Sequence, residues 1–223
     1  MAFSATITGY HLLNEDIIRH AVWEHINKQV YNNLGVEVME TANNGHAPGM
    51  DIVCAEGRLS NKTSNLSVSK GVTSTSISSY RLGKEINHKA ENTQEQICEF
   101  INSKKNFDFY SLLTHREVEG GKVEYRWYMI PSSHPSVNPD TYTWEKVYGK
   151  TARTKGIFTG WQTDSVNGSS MSITFSMSSQ LWMKVDLTNM DEYIRESIVV
   201  SPKPVMDYAA LAALMAEQQQ SAQ

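Results

Sequence analysis

The residues best suited to chemistry lie in one fifteen-residue stretch, Pro48-Gly-Met-Asp51-Ile-Val-Cys-Ala-Glu56-Gly57-Arg-Leu-Ser60-Asn61-Lys62. A short apolar run over 51–55 meets Glu56-Gly57, a pair suited to a two-residue turn, and residues 59–64 return as a second strand. With that turn, Ala55 faces Arg58, Val53 faces Ser60 and Asp51 faces Lys62. Directly opposed residues share a face, as do residues two apart on one strand. Asp51, Ser60 and Lys62 are therefore expected to converge near the open end of the hairpin, provided that the register holds. A carboxylate beside an ammonium is the grouping that phosphodiester hydrolysis uses. A hard divalent cation takes carboxylate, water and phosphate oxygens. It stabilises charge on the phosphate and acidifies a bound water. A neighbouring lysine orients that water or takes its proton.

These residues resemble the motif of the PD-(D/E)xK nucleases, type II restriction endonucleases in particular. That motif places Pro and Asp at the start of one strand, then an acidic residue, any residue and Lys on the next. Pro48 and Asp51 match with two residues between them, and Lys62 supplies the lysine. Ser60 stands where Asp or Glu is usual; branches with Ser-x-Lys recruit a glutamate from elsewhere. The order helix, strand, hairpin, helix, strand over residues 12–114 is also similar. The resemblance implies an α+β, restriction-endonuclease-like fold with a mixed central sheet flanked by helices. It further implies a Mg²⁺ cofactor held by Asp51 and a second carboxylate, double-stranded DNA as substrate, and a homodimer whose two-fold axis matches a palindromic site. Glu24, on the first helix, is the leading second carboxylate; Glu56 and Glu85 are the others. His46, just before Pro48, reads as a loop histidine without a role.

The elements that must position this group follow from the pattern. Residues 11–34 read as one amphipathic helix stopped by Gly35. Residues 36–41 alternate as a strand, and 41–49 form a loop. The Ser/Thr/Lys-rich stretch 65–92 reads as a loop with one or two irregular strands. Asn92 and Glu95 suggest a capping box for a helix over 92–104. Strands follow over 107–114 and 123–130 around a turn at Glu119-Gly120-Gly121-Lys122, then more strands within 172–187, and a helical tail from Pro204. No linker divides the chain: a single nuclease domain over 1–223 is expected, with a core at 11–114, a strand-rich DNA-recognition part at 115–203 and a C-terminal helix and tail at 204–223.

The net charge of −4 excludes a protein that coats nucleic acid indiscriminately. Between Arg58 and Lys105, however, eight Lys/Arg meet four Asp/Glu. Within that zone Lys70, Ser78, Ser79 and Arg81 are the expected phosphate contacts. Residues 146–155 offer a second basic patch, and 167–180 carry amides and hydroxyls able to read base edges. No apolar run reaches membrane-spanning length, no signal peptide is evident, and Cys54 and Cys98 read as reduced core thiols, so a cytoplasmic protein with no membrane partner is expected. Phosphate-loop, dinucleotide-fold, CxxC and HExxH motifs are absent from the sequence. Two further readings stand beside the restriction enzyme: a structure-selective repair or recombination nuclease of the same fold, and a non-catalytic binding or structural protein.

Overall fold

From residue 36 onward, alternation of apolar and polar residues governs most of the chain, and it builds sheet. The computed structural model describes residues 2–13, 17, 20–41, 49–82, 86, 92–175 and 179–202. Among them are three helices, α1 (Ala2–Leu13), α2 (His20–Asn33) and α3 (Gln94–Ser103). The strands are β1 (Val38–Thr41), β2 (Ile52–Cys54), β3 (Gly57–Ser69), β4 (Val72–Arg81), β5 (Phe109–Val118), β6 (Lys122–Pro131), β7 (Trp144–Tyr148), β8 (Phe158–Thr163), β9 (Ser170–Thr174), β10 (Gln180–Asp186) and β11 (Ile194–Val200).

They form one mixed sheet in the order β11-β6-β5-β3-β4-β10-β9-β8-β7, with β2 on β3 and β1 on β2. All described pairings between strands are antiparallel except β3 with β5, which run parallel from Leu59 beside Phe109 to Asn65 beside His115. A parallel pair needs a crossover, and α3 lies within it, between β4 and β5. The fold is thus mixed α+β with helices on a large central sheet.

Each sheet face has its own core. On one, α1 and α2 pack Phe3, Ile7, Trp23, Ile26, Val30 and Tyr31 against β3, β5, β6 and β11. At its centre Trp127 stacks on Phe3 at 5.7 Å, meets Trp23 and Tyr31 edge-on at 5.8 and 5.7 Å, and carries the Arg195 guanidinium 4.9 Å from its ring. On the other face α3 sets Ile97, Cys98 and Ile101 against Tyr110, Leu112, Ile130 and the inward residues of β8, β9 and β10. Both cysteines are buried and free.

Several expectations need correction. The single helix over 11–34 is two helices. The first begins at Ala2, in a Thr/Ile/Tyr-containing stretch of modest helix propensity, where burial of Phe3 and Ile7 against Trp127 and its neighbours outweighs propensity. Residues 65–82 are more regular than expected: β3 continues to Ser69 and turns through Lys70-Gly71 into the ten-residue β4. The capping box sits one residue later than expected, at Thr93 and Gln96. Pro48, His46, Glu85 and the helix from 204 lie outside the described residues. No helix among the described residues is long and apolar enough to cross a membrane.

Because four aromatic or cationic groups rest on one indole, Trp127→Ala should destabilise the protein by about 3–5 kcal/mol in urea unfolding. A loss below about 1 kcal/mol would mean that the helices do not depend on it.

Candidate functional site

Strand β3 is paired on one edge with β5 through Leu59–Asn65. Its other edge meets β2 at residues 57–59 and β4 at residues 66–69. Between those ladders lies an interval at residues 60–65 of that edge. The opening leaves main-chain groups for side chains to satisfy, and the predicted site residues gather there.

Asp51 stands at one end of the opening. The β2–β3 turn is Ala55-Glu56, one residue earlier than expected, so Val53 pairs with Arg58 and Ile52 with Leu59. Continuing that register sets Asp51 opposite Ser60 in place of Lys62. A shift of two in the pairing sum keeps every residue on its face, so the convergence survives the correction. The Asp51 carboxylate accepts from the Asn61 N–H at 2.6 Å and from the Ser60 hydroxyl at 3.4 Å. Lys62 Nζ lies 3.9 Å from the same Asp51 Oδ2 and donates to Ser60 Oγ and the Asn61 carbonyl, both at 2.9 Å. All four residues are buried. Burial pushes the Lys62 ammonium below the ordinary lysine value, and the carboxylates of Asp51 and Glu24 pull it back up.

The loop before Asp51 is pinned. Met50 N–H donates to Asn106 Oδ1 at 2.7 Å. Gly49 has a φ of +102°, and a Cβ there would stand 1.8 Å from Asn106 Oδ1 and 2.9 Å from the Lys104 carbonyl. Glycine is required at this approach.

Glu24, on α2, acts on the group through its charge on Lys62. Its neighbour Trp23 fixes the helix by donating to the Ser111 carbonyl at 3.1 Å, while Trp127 donates to Ser111 Oγ at 3.0 Å. One turn beyond Glu24, Asn27 is fully buried, and neither its Oδ1 nor its Nδ2 has a hydrogen-bond partner among the described residues. Sequence reasoning passed over it; the signal was an amide on a helix face otherwise made of Trp23, Ile26, Val30 and Tyr31. Glu56 is removed as a metal ligand, since Tyr31 donates to it and Arg195 grips both its oxygens. Asp51 and Glu24 remain as the carboxylates whose charge acts on Lys62. No group of three or more His, Cys, Asp and Glu with metal-site geometry occurs among the described residues. Two carboxylates suit Mg²⁺, which keeps several waters and takes substrate phosphate oxygens.

No family model, curated protein or solved structure matches this chain. The functional reading therefore rests on the chemistry of the residues themselves.

The expected DNA contacts do not gather as a group. Lys70 lies at the β3–β4 turn and Arg81 at the far end of β4, about 30 Å away at the usual rise per residue. Both are exposed, as is Ser78. Ser79 turns inward, its Oγ buried against the Tyr110 hydroxyl, which takes it off the surface. The basic zone is also partly used up inside the fold: Arg58 pairs with Asp108, Lys62 with Asp51, and Lys105 donates to the Ser132 and Val137 carbonyls.

Two outcomes follow. Asn27→Leu removes two orphaned polar atoms at similar volume and should stabilise the protein by about 1–3 kcal/mol in urea unfolding; a loss of stability would contradict the burial described. The lowered Lys62 value means that the unfolded chain holds the proton at pH values where the folded one has released it. Stability contributed by this site therefore rises with pH, from the lowered value up to about 10.4. Lys62→Met should flatten that rise relative to the parent protein between pH 8 and 10; an unchanged slope would mean an ordinary lysine.

Proposed function

We propose that the protein is a Mg²⁺-dependent DNA endonuclease of the PD-(D/E)xK type, cytoplasmic and homodimeric, that hydrolyses phosphodiester bonds in double-stranded DNA at a short sequence. One observation carries the reading: Asp51 and Lys62 lie within 3.9 Å of each other between the β2 and β4 ladders of β3, with the Glu24 carboxylate acting on the same ammonium. The order α2, β1, β2, β3, β4, α3, β5, with β5 parallel to β3, supports it, because apart from the added strand β4 it follows the helix–strand–hairpin–helix–strand succession that the motif accompanies.

Asp51 and Glu24 would hold the ion, which when bound polarises a phosphate oxygen and acidifies a water. Asp51 is aimed by its bonds from Asn61 N–H and Ser60 Oγ. Ser60 does not replace the usual acid as a strong ligand. It anchors Lys62 Nζ and couples it to Asp51. Lys62, held below its ordinary range by burial, is readier than a surface lysine to accept a proton from an attacking water, and when protonated it offsets charge on the phosphate.

The test is digestion of supercoiled plasmid with Mg²⁺ and with EDTA. The parent protein should give discrete, EDTA-sensitive fragments. Lys62→Ala, Asp51→Asn and Glu24→Gln should each slow cleavage by about 100-fold or more, the scale of losing a positioned acid–base group or charge stabiliser. Undiminished cleavage by Lys62→Ala, or no cleavage by the parent across divalent ions, would sink the proposal.

A further inference from the structure

The hairpin at the β7 end of the sheet concentrates positive charge. The eighteen residues Lys146–Thr163 hold four Lys/Arg and no Asp or Glu, in a chain of net charge −4. They span most of β7, all of β8 and the loop 149–157 between them. Lys146 belongs to the fold: its Nζ stands 5.5 and 5.6 Å from the rings of Phe158 and Trp161. Lys150, Arg153 and Lys155 are on the loop and exposed. Edge strands carry lysines that deter pairing with other chains, but these three lie beyond the strand pair, so that role does not account for them. Tyr148 and Ile157, at the two feet of the loop, are 51% and 52% exposed.

The loop is held in one shape. Gly149 N–H donates to the Ile157 carbonyl at 2.8 Å and Gly156 N–H to the Gly149 carbonyl at 3.2 Å, closing its base. Across the tip, Thr154 N–H donates to the Thr151 carbonyl at 3.0 Å, and the two threonine hydroxyls are hydrogen-bonded at 2.6 Å. The chain wraps so closely that a Cβ on Gly149 would collide with Thr154. Below the loop, Phe158 meets Trp161 and Phe175 edge-on at 5.6 and 4.8 Å, which ties the hairpin to the core. Three like charges thus ride on a backbone that needs no ordering when a polyanion binds.

We propose that loop 149–157 is a docking tip for the phosphate backbone of duplex nucleic acid, with Lys150, Arg153 and Lys155 each contacting a phosphate. The composition favours a polymer in water over a lipid surface: between Tyr148 and Ile157 the loop is Gly, Lys, Thr, Ala and Arg, without an apolar wedge to enter a bilayer. Charge density favours a duplex over a single strand, since a duplex carries one phosphate per about 1.7 Å of axis and each of its strands half as many. The tip offers cations and no open stacking face; the Tyr148 ring leans on Phe158 at 5.9 Å. In the sheet order β7 is five strands from β3, so the tip adds phosphate contacts without taking part in the chemistry. Its part in cleavage rests on the nuclease reading; the duplex contact itself does not.

The experiment is anisotropy of a labelled blunt duplex of arbitrary sequence with the full chain in EDTA, repeated from about 50 to 200 mM salt. Each of Lys150→Ala, Arg153→Ala and Lys155→Ala should make the fall of log affinity with log salt shallower by about 0.9, and the triple variant by about 2.7, with weaker binding across that range. Arg153→Lys should keep the parent slope. A single strand of equal length and vesicles containing phosphatidylserine should bind the parent more weakly than the duplex does. Urea midpoints equal to the parent's would show that the variants are folded, as expected for exposed loop sites. A triple variant with the parent's slope and affinity overturns the proposal, as does a parent that prefers the vesicles or the single strand. Cleavage in Mg²⁺ is read separately. A parent that binds duplex through the tip and does not cleave keeps the docking surface and removes the nuclease; one that cleaves and binds equally well without the tip does the reverse.

Discussion

The site depends on a buried ion pair that the sheet cannot satisfy by ordinary pairing. Taking a carboxylate and an ammonium out of water costs several kcal/mol per ion, and attraction offsets this only when the remaining hydrogen-bonding capacity is used. Here it is used by the strand itself. The Asn61 N–H caps Asp51, the Asn61 carbonyl and Ser60 hydroxyl receive Lys62, and Ser60 bridges the two. These main-chain groups are available to side chains because the β2 ladder ends at Leu59 and the β4 ladder begins at Leu66. The opening in the ladder and the charges inside it are therefore one feature.

The rest of the fold holds that opening in place from two sides. On the helix side, Trp23 and Trp127 both bind Ser111 of β5, the strand beside β3, which sets the height of α2 and with it Glu24. Glu56, Tyr31 and Arg195 fasten the β2–β3 turn to α2 and β11, so the hairpin cannot swing away from the helix. On the other side, Asn106, beyond the end of α3, receives Met50 and fixes the approach to Asp51. Anchors from separate elements thus aim a pair of residues eleven positions apart in sequence.

The face shared by Asp51, Ser60 and Lys62 was legible from the sequence because strand alternation tolerates an even error: the turn was misplaced, yet the pairing moved by two. Glu24 was legible as an acid on an amphipathic helix. The first helix was not, because its Thr, Ile and Tyr content says little until Trp127, more than a hundred residues away, is known to lie beneath it. Strand β4 was unreadable for a related reason. Its Ser74, Ser76 and Ser78 line an exposed sheet face, and among its described side chains only Thr75 and Ile77 are marked by burial. The failed phosphate cluster has the same origin, since Ser78 and Ser79 are neighbours in sequence and a strand sends neighbours to opposite faces.

The account is tested most directly by the titration of the Lys62 ε-methylene, followed by heteronuclear NMR in lysine-labelled protein. A buried ammonium held by Asp51 should titrate below the ordinary value of about 10.4, fall further in Asp51→Asn, and, with the proposed ion bound, fall again when Mg²⁺ is added. An ordinary titration that ignores both the substitution and the ion would contradict the claim that these groups form one electrostatic unit.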